Sequence, residues 1–161
     1  MNIAMARPYA RSLQGTRAHA TKPCNKGKNM TMLGALSLAG LTASMTIEGS
    51  TDTDIFLTYV QEILCPCLRP GQVVMMDNLK PHKADAVREA LASGGARIEY
   101  LPPYSPDLSP IEKCWSKVKA SIRAKAARSY EALDRAIMQA FNSITSDDVQ
   151  GWFSHCGYVV Q

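Results

Sequence analysis

Four of the nine residues from Pro102 to Pro110 are proline, and that run limits what the chain around it can form. Proline fixes φ near −65° and removes a backbone donor, so Pro102-Pro103-Tyr104-Ser105-Pro106-Asp107-Leu108-Ser109-Pro110 suits neither helix nor paired strand. It is a stiff connector. Upstream, Gln72-Val73-Val74-Met75-Met76-Asp77 is a short apolar run closed by a carboxylate and preceded by Gly71, the pattern of a buried parallel strand. Pro81 suits the first turn of a helix with Ala84, Val87 and Leu91 on one face and Gly94-Gly95 closing it. Arg97 to Leu101 then reads as a second strand. Strand, helix and strand within about 30 residues predict a right-handed crossover unit of an α/β sheet.

Downstream, the spacing predicts a helix from Pro110 to about Ala126, with Ile111, Cys114, Trp115, Val118 and Ile122 as its apolar stripe. Glu112, Lys119 and Arg123, at i, i+7 and i+11, share another face. A further helix from Tyr130 to Ile144 buries Leu133, Ile137, Ala140 and Phe141, and a short turn with Val149, Trp152 and Phe153 closes the chain. Toward the N-terminus, Thr31–Leu38 and Leu41–Ile47 read as hairpin strands joined at Ala39-Gly40. Ser50 or Thr51 can cap a helix with Asp52 and Asp54 in its first turn and Ile55, Phe56, Tyr59, Val60, Ile63 and Leu64 on its buried face. Pro66 and Pro70-Gly71 end it. Residues 1–30 lack apolar periodicity and read as a basic loop or irregular hairpin, so the core spans 31–161 in one domain.

At 161 residues with 46% hydrophobic and 20% charged side chains, the chain can hold a core without disulfides or structural metal. Its five cysteines are scattered, with no C-x-x-C pair, which argues for a reducing compartment. No signal or membrane-spanning segment is visible. The net charge of +4 is unevenly placed. Arg7, Arg11, Arg17, Lys22, Lys26 and Lys28 all precede the first acid, Glu48, and Lys113, Lys117, Lys119, Arg123, Lys125 and Arg128 follow Glu112. Two basic blocks suit a polyanion partner, although solvated faces or arms would look the same.

Two carboxylates stand out. Asp77 ends a strand, where open α/β sheets present ligand-binding groups, yet Asp in that place also serves as a turn or cap residue. Glu112 completes Ser109-Pro110-Ile111-Glu112, which fits a capping box. Considered together, they are separated by thirty-four residues, one at a strand end and one on a basic helix. Such a pair can hold Mg²⁺ through oxygen ligands and support two-metal phosphodiester chemistry, with neighbouring cations gripping phosphates.

These residues resemble the DDE transposases of the mariner superfamily, in the bacterial insertion-sequence branch. The resemblance is carried by Val73-Val74-Met75-Met76-Asp77-Asn78 with His82-Lys83, by Tyr100-Leu101 and the proline string through Ile111-Glu112, and by Trp115-Ser116-Lys117-Val118-Lys119. Weaker likeness runs from Arg7-Pro8-Tyr9-Ala10-Arg11 to Gly151-Trp152-Phe153 and Gly157-Tyr158. It implies a ribonuclease H-like fold, a mixed sheet flanked by helices, with Asp77 as the second catalytic acid and Glu112 as the third. It also implies two Mg²⁺ or Mn²⁺ ions on those carboxylates, with insertion-sequence ends and target DNA as partners. Lys119, Arg123, His82 and Lys83 are the candidate DNA contacts. A homo-oligomer in the cytoplasm, associated with the nucleoid and not with membrane, would follow.

One departure stands beside these agreements. The family's first Asp lies on the opening strand, but no Asp precedes Asp52 here, and Asp52 and Asp54 sit at a helix start. The resemblance therefore predicts a C-terminal catalytic part lacking its first strand, its first carboxylate and the helix-turn-helix domain. Such a part would be inactive alone, with an exposed sheet edge. The other readings are a non-catalytic DNA-binding or oligomerisation remnant, favoured by the basic first 28 residues, and a ribonuclease or other nuclease on the same fold.

Overall fold

The computed structural model describes residues 1–160. Strands β1 (Met30–Ser37) and β2 (Gly40–Glu48) form an antiparallel hairpin. Its turn is Leu38-Ala39, one residue earlier than the sequence suggested, because Ser37 pairs with Gly40 and Gly40 takes a φ of 122° that other residues resist. A register shift between Leu33 and Ala35 bulges β1 at Gly34. A Cβ at Gly34 would lie 3.1 Å from Trp115 Cη2, so the missing side chain lets the indole close on the strand.

Helix α1 (Thr53–Tyr59) is capped by Asp52, whose Oδ1 accepts from the Ile55 N–H at 2.9 Å. The expected caps, Ser50 and Thr51, lie too early for that bond. The helix continues into a wider π turn at Val60–Leu64 and a 3-10 turn at Cys65–Cys67, so the predicted apolar stripe stays continuous while its winding changes. Strand β3 (Val73–Met76), helix α2 (Asp85–Ser93) and strand β4 (Arg97–Tyr100) complete the crossover, with β3 and β4 parallel in the register Val73↔Arg97 to Met76↔Tyr100. Pro81 opens a separate 3-10 turn, Pro81–Lys83, ahead of α2.

The mixed α/β architecture is present, with its antiparallel and parallel pairings divided between two two-stranded sheets. Met1 touches the outer side of β1 through a bond from the Met30 N–H to its carbonyl at 2.6 Å. The expectation that β3 would be buried on both faces is corrected. Met76 is buried and Val74 half-buried against the helices, but Val73 and Met75 are 44% and 48% exposed, their face covered by no helix among the described residues and touched at Met75 by the Tyr158 hydroxyl.

After the proline connector come α3 (Pro110–Lys125), α4 (Tyr130–Asn142) and α5 (Ser146–His155). The last was expected as a short turn. It is a ten-residue helix because Thr145 and Asp148 form a reciprocal capping box. Lys117 on α3 pairs with Asp148, and that ammonium, followed by the Thr145 N–H, holds the Asp148 carboxyl below its usual range.

The interior divides into two apolar clusters. Phe56, Tyr59, Val60, Leu64, Met76, Val87 and Leu91 form one, and Cys114, Val118, Ile122, Leu133, Ile137 and Ala140 form the other. Cys114 is wholly buried, which pushes its thiol up to about 11. No helix among the described residues is long and apolar enough to cross a membrane.

Urea denaturation should show Leu91→Ala losing about 2–5 kcal/mol at its fully buried site, and Val73→Ala changing stability by less than about 0.5 kcal/mol. A lowered folded pKa means that Asp148 stabilises the protein above the ordinary carboxylate value of about 3.9 and stops doing so as pH falls through the folded value. Asp148→Asn should therefore lower the thermal midpoint at neutral pH, with the gap to the unaltered protein closing in acid.

Candidate active site

Asp77 lies one residue beyond β3, at the carboxyl end of the parallel pair. Its Oδ1 accepts from the Leu79 N–H at 3.1 Å, a local turn, and lies 2.6 Å from His82 Nδ1. The imidazole contact is close but out of line for a hydrogen bond, leaving Nδ1 enclosed without a hydrogen-bonded partner. Both contacts use Oδ1, so Oδ2 is free among the described residues.

His82 is fixed from two sides. Its ring packs on Phe56 with centroids 4.4 Å apart, and its carbonyl accepts from the Tyr100 hydroxyl at 2.9 Å. Tyr100 stands beside Met76 in the β3–β4 register, with Lys83 Nζ and the Arg88 guanidinium each 5.9 Å from its ring centroid. His82, proposed from sequence as a DNA contact, is thus turned onto Asp77 with its side chain 20% exposed, whereas Lys83 is exposed. Asn78 ties the end of β3 to the start of the proline connector, its Nδ2 donating to the Leu101 carbonyl at 2.5 Å.

Glu112 is exposed in the first turn of α3. The expected capping box is absent. Ser109 occupies the cap position, yet its side chain accepts no helix amide, and only its carbonyl receives the Glu112 N–H, at 3.1 Å. Pro110 contributes no donor, and Ser109 has a φ of −109° and ψ of 98°. The Glu112 carboxylate consequently has no hydrogen-bond or ion-pair partner among the described residues.

Tyr158 connects the two carboxylate segments. Its hydroxyl donates to the Leu108 carbonyl at 2.9 Å and lies 3.4 Å from Met75 Sδ. Strand alternation puts Met75 and Asp77 on one face of β3, and Leu108 lies four residues before Glu112, so Tyr158 ties the chain just before one acid to the chain just before the other. Along α3, Lys119 and Arg123 are half-buried on the face of Glu112. Lys119 borders the N-terminal segment: the Met1 amino group is pushed below its ordinary value by burial and then by the Lys119 ammonium.

Sequence reasoning assigned Phe56 only to the core and, while it used Tyr100 and Tyr158 for the family resemblance, gave neither a role at the site. The five-residue spacing of Asp77 and His82 across Pro81 was a usable local signal, but the Tyr100 contact depends on strand register and had none. Asp77 Oδ2 and the Glu112 carboxylate are hard oxygen donors of the kind Mg²⁺ or Mn²⁺ accepts. No group of three or more His, Cys, Asp or Glu side chains among the described residues is arranged to hold a metal ion. The donor chemistry fits such an ion, with two protein ligands and the rest of its coordination left to water or substrate.

The family model described as DDE superfamily endonuclease matches residues 1–134. The chain belongs to this family. Among solved structures, it is similar to the Mos1 strand transfer complex, with a TM-score of 0.69 and 19% identity over 94% of this chain and 46% of that one. The mariner Mos1 paired end complex with Mg gives 0.70 and 18%, covering 94% of this chain and 49% of the other. The Mos1 transposase catalytic domain with Raltegravir and Mg gives 0.57 and 16%, covering 81% and 78%. These likenesses establish the ribonuclease H-like fold, and the chain spans about half the length of the first two. No curated protein matches it.

Because the Ser109 hydroxyl caps nothing, Ser109→Ala should change stability by less than about 0.5 kcal/mol, whereas Thr145→Ala should cost about 0.5–2 kcal/mol. Paired urea titrations would check the contrast.

Proposed function

We propose that residues 1–161 form one DDE transposase catalytic domain of the mariner superfamily, in the bacterial insertion-sequence branch. It would carry out metal-dependent cleavage and strand transfer at insertion-sequence ends. The observation that carries this reading is the pair of exposed carboxylates, Asp77 at a parallel strand end and Glu112 at a helix start, whose flanking segments Tyr158 ties together, in a chain of this family. Asp77 and Glu112 are assigned as ligands of Mg²⁺ or Mn²⁺. When bound, the ions would activate the attacking water or 3′-hydroxyl and offset charge on the leaving oxygen.

The chain's own residues then have distinct roles. The Leu79 N–H and His82 orient the Asp77 carboxylate by its Oδ1 and leave Oδ2 for metal. Glu112 is carried on α3, whose Lys119 and Arg123 extend the same face toward the phosphates flanking the reacting bond. Lys83 presents a further cation near Asp77. His82 is assigned to positioning Asp77, which amends the sequence-based reading of it as a DNA contact. The partners under this reading are element ends and target DNA, met by a homo-oligomer in the bacterial cytoplasm at the nucleoid.

Titration with Mn²⁺, followed by electron paramagnetic resonance, should show Asp77→Asn and Glu112→Gln each weakening binding by about tenfold or more, about 1.4 kcal/mol. Any Mg²⁺-dependent nicking of supercoiled DNA should be lost in both variants. Mn²⁺ affinity unchanged in both would overturn the assignment, whether or not turnover is seen.

A further inference from the structure

The N-terminal segment is basic, exposed and pinned. Arg7, Arg11, Arg17, Lys22 and Lys26 are exposed, and none forms an ion pair among the described residues. Lys28 alone of this block is paired, 2.7 Å from Glu48. No acid precedes Glu48, so nothing within the segment offsets its charge.

Arg128, in the link between α3 and α4, holds both ends of this segment. Its Nη1 donates to the Ile3 and Met5 carbonyls, each at 3.0 Å, and its Nη2 donates to the Thr21 carbonyl at 3.1 Å. One guanidinium therefore closes the base of a loop spanning residues 6–20. Close by, the Tyr130 hydroxyl accepts from the Lys28 N–H at 2.6 Å and anchors the return limb.

The far end of the loop is also shaped. The Thr16 N–H and hydroxyl donate to the Leu13 carbonyl at 3.0 and 2.8 Å, and the Ser12 hydroxyl donates to the Thr16 carbonyl at 2.7 Å. Gly15, with a φ of 83°, completes the turn and places Arg11 and Arg17 on opposite limbs. Tyr9 is 87% exposed between Arg7 and Arg11. With about seven residues in each limb, the loop can extend up to roughly 25 Å from Arg128.

We propose that residues 6–20, with Lys22 and Lys26 on the return limb, form an arm that grips the phosphate backbone of duplex DNA. Arg128 is its positioning residue and makes no phosphate contact itself. The proposal rests on the DNA-handling reading above and adds where the duplex is held and what shapes the holder. Unpaired cations along an extended backbone suit regularly spaced phosphates, whose binding is driven by counterion release. Arg128 directs its fork at four main-chain carbonyls, three of them in the N-terminal segment and the fourth that of Ala127, a geometry that the lysine point charge cannot reproduce.

The test is fluorescence anisotropy of the full 161-residue chain with a short labelled duplex in EDTA, across a salt series. The combined Arg7→Ala, Arg11→Ala, Arg17→Ala and Lys22→Ala variant, altered only at exposed positions, should bind at least about tenfold more weakly. Its slope of log affinity against log salt should fall by about three to four. Arg128→Lys should lose as much affinity as Arg128→Ala despite keeping the charge. Both should be cut faster by trypsin after Arg11 and Arg17, with thermal midpoints close to that of the unaltered protein.

Unchanged binding by the combined variant would overturn the arm. Binding retained by Arg128→Lys and lost by Arg128→Ala would overturn the positioning role. Absence of salt-sensitive binding in the unaltered chain would instead remove the DNA-handling reading on which the arm depends.

Discussion

The hairpin of β1 and β2 must be covered on both faces, and the rest of the fold follows from that requirement. Leu33, Ala35, Ala43 and Met45 pack into the cluster built by α1, α2 and β3, whereas Met30, Met32, Leu36 and Leu41 pack into the cluster of α3 and α4. A two-stranded ribbon in water cannot bury two apolar faces by itself. One layer consequently gathers on each side. The strand that leads to Asp77 belongs to the first and the helix that carries Glu112 to the second. Gly34 matters here because it lets Trp115 of α3 approach β1.

The acids are held very differently. Asp77 is exposed but held at one oxygen by a turn amide and an imidazole that is itself gripped by Phe56 and Tyr100. Glu112 depends on helix geometry alone and leaves its carboxylate unengaged. Similarity to the Mos1 structures, at identities of 16–19%, speaks to the fold and not to individual side chains. The roles of the two acids rest on their placement within this chain.

Much of the architecture was legible because its signals are local. The proline string fixes φ by covalent geometry, the apolar run before Asp77 marks a strand, and the glycines closing α2 admit the turn that ends it, Gly95 at a φ of 75°; each appears where expected. Failures occurred where a local pattern had a rival. Ser109 and Glu112 match a capping box but do not form one, while Thr145 and Asp148 do. Asp52 displaced Ser50 and Thr51 as the cap of α1 by position alone. The supports of the site, Tyr100 and Tyr158, arise from strand register and chain return, which a linear pattern does not encode.

The short ladder between β3 and β4 has a dynamic consequence. Four register pairs, with Val73 and Met75 open to solvent, give this part of the sheet little apolar burial to hold it closed. The sixteen-residue α3 instead has Cys114 and Val118 fully enclosed. Segments with few buried contacts open at lower free energy than the whole molecule. On that scale, the strand bearing Asp77 is the softer half of the site, and amide hydrogen exchange would be fastest there while the helix bearing Glu112 still held its protons.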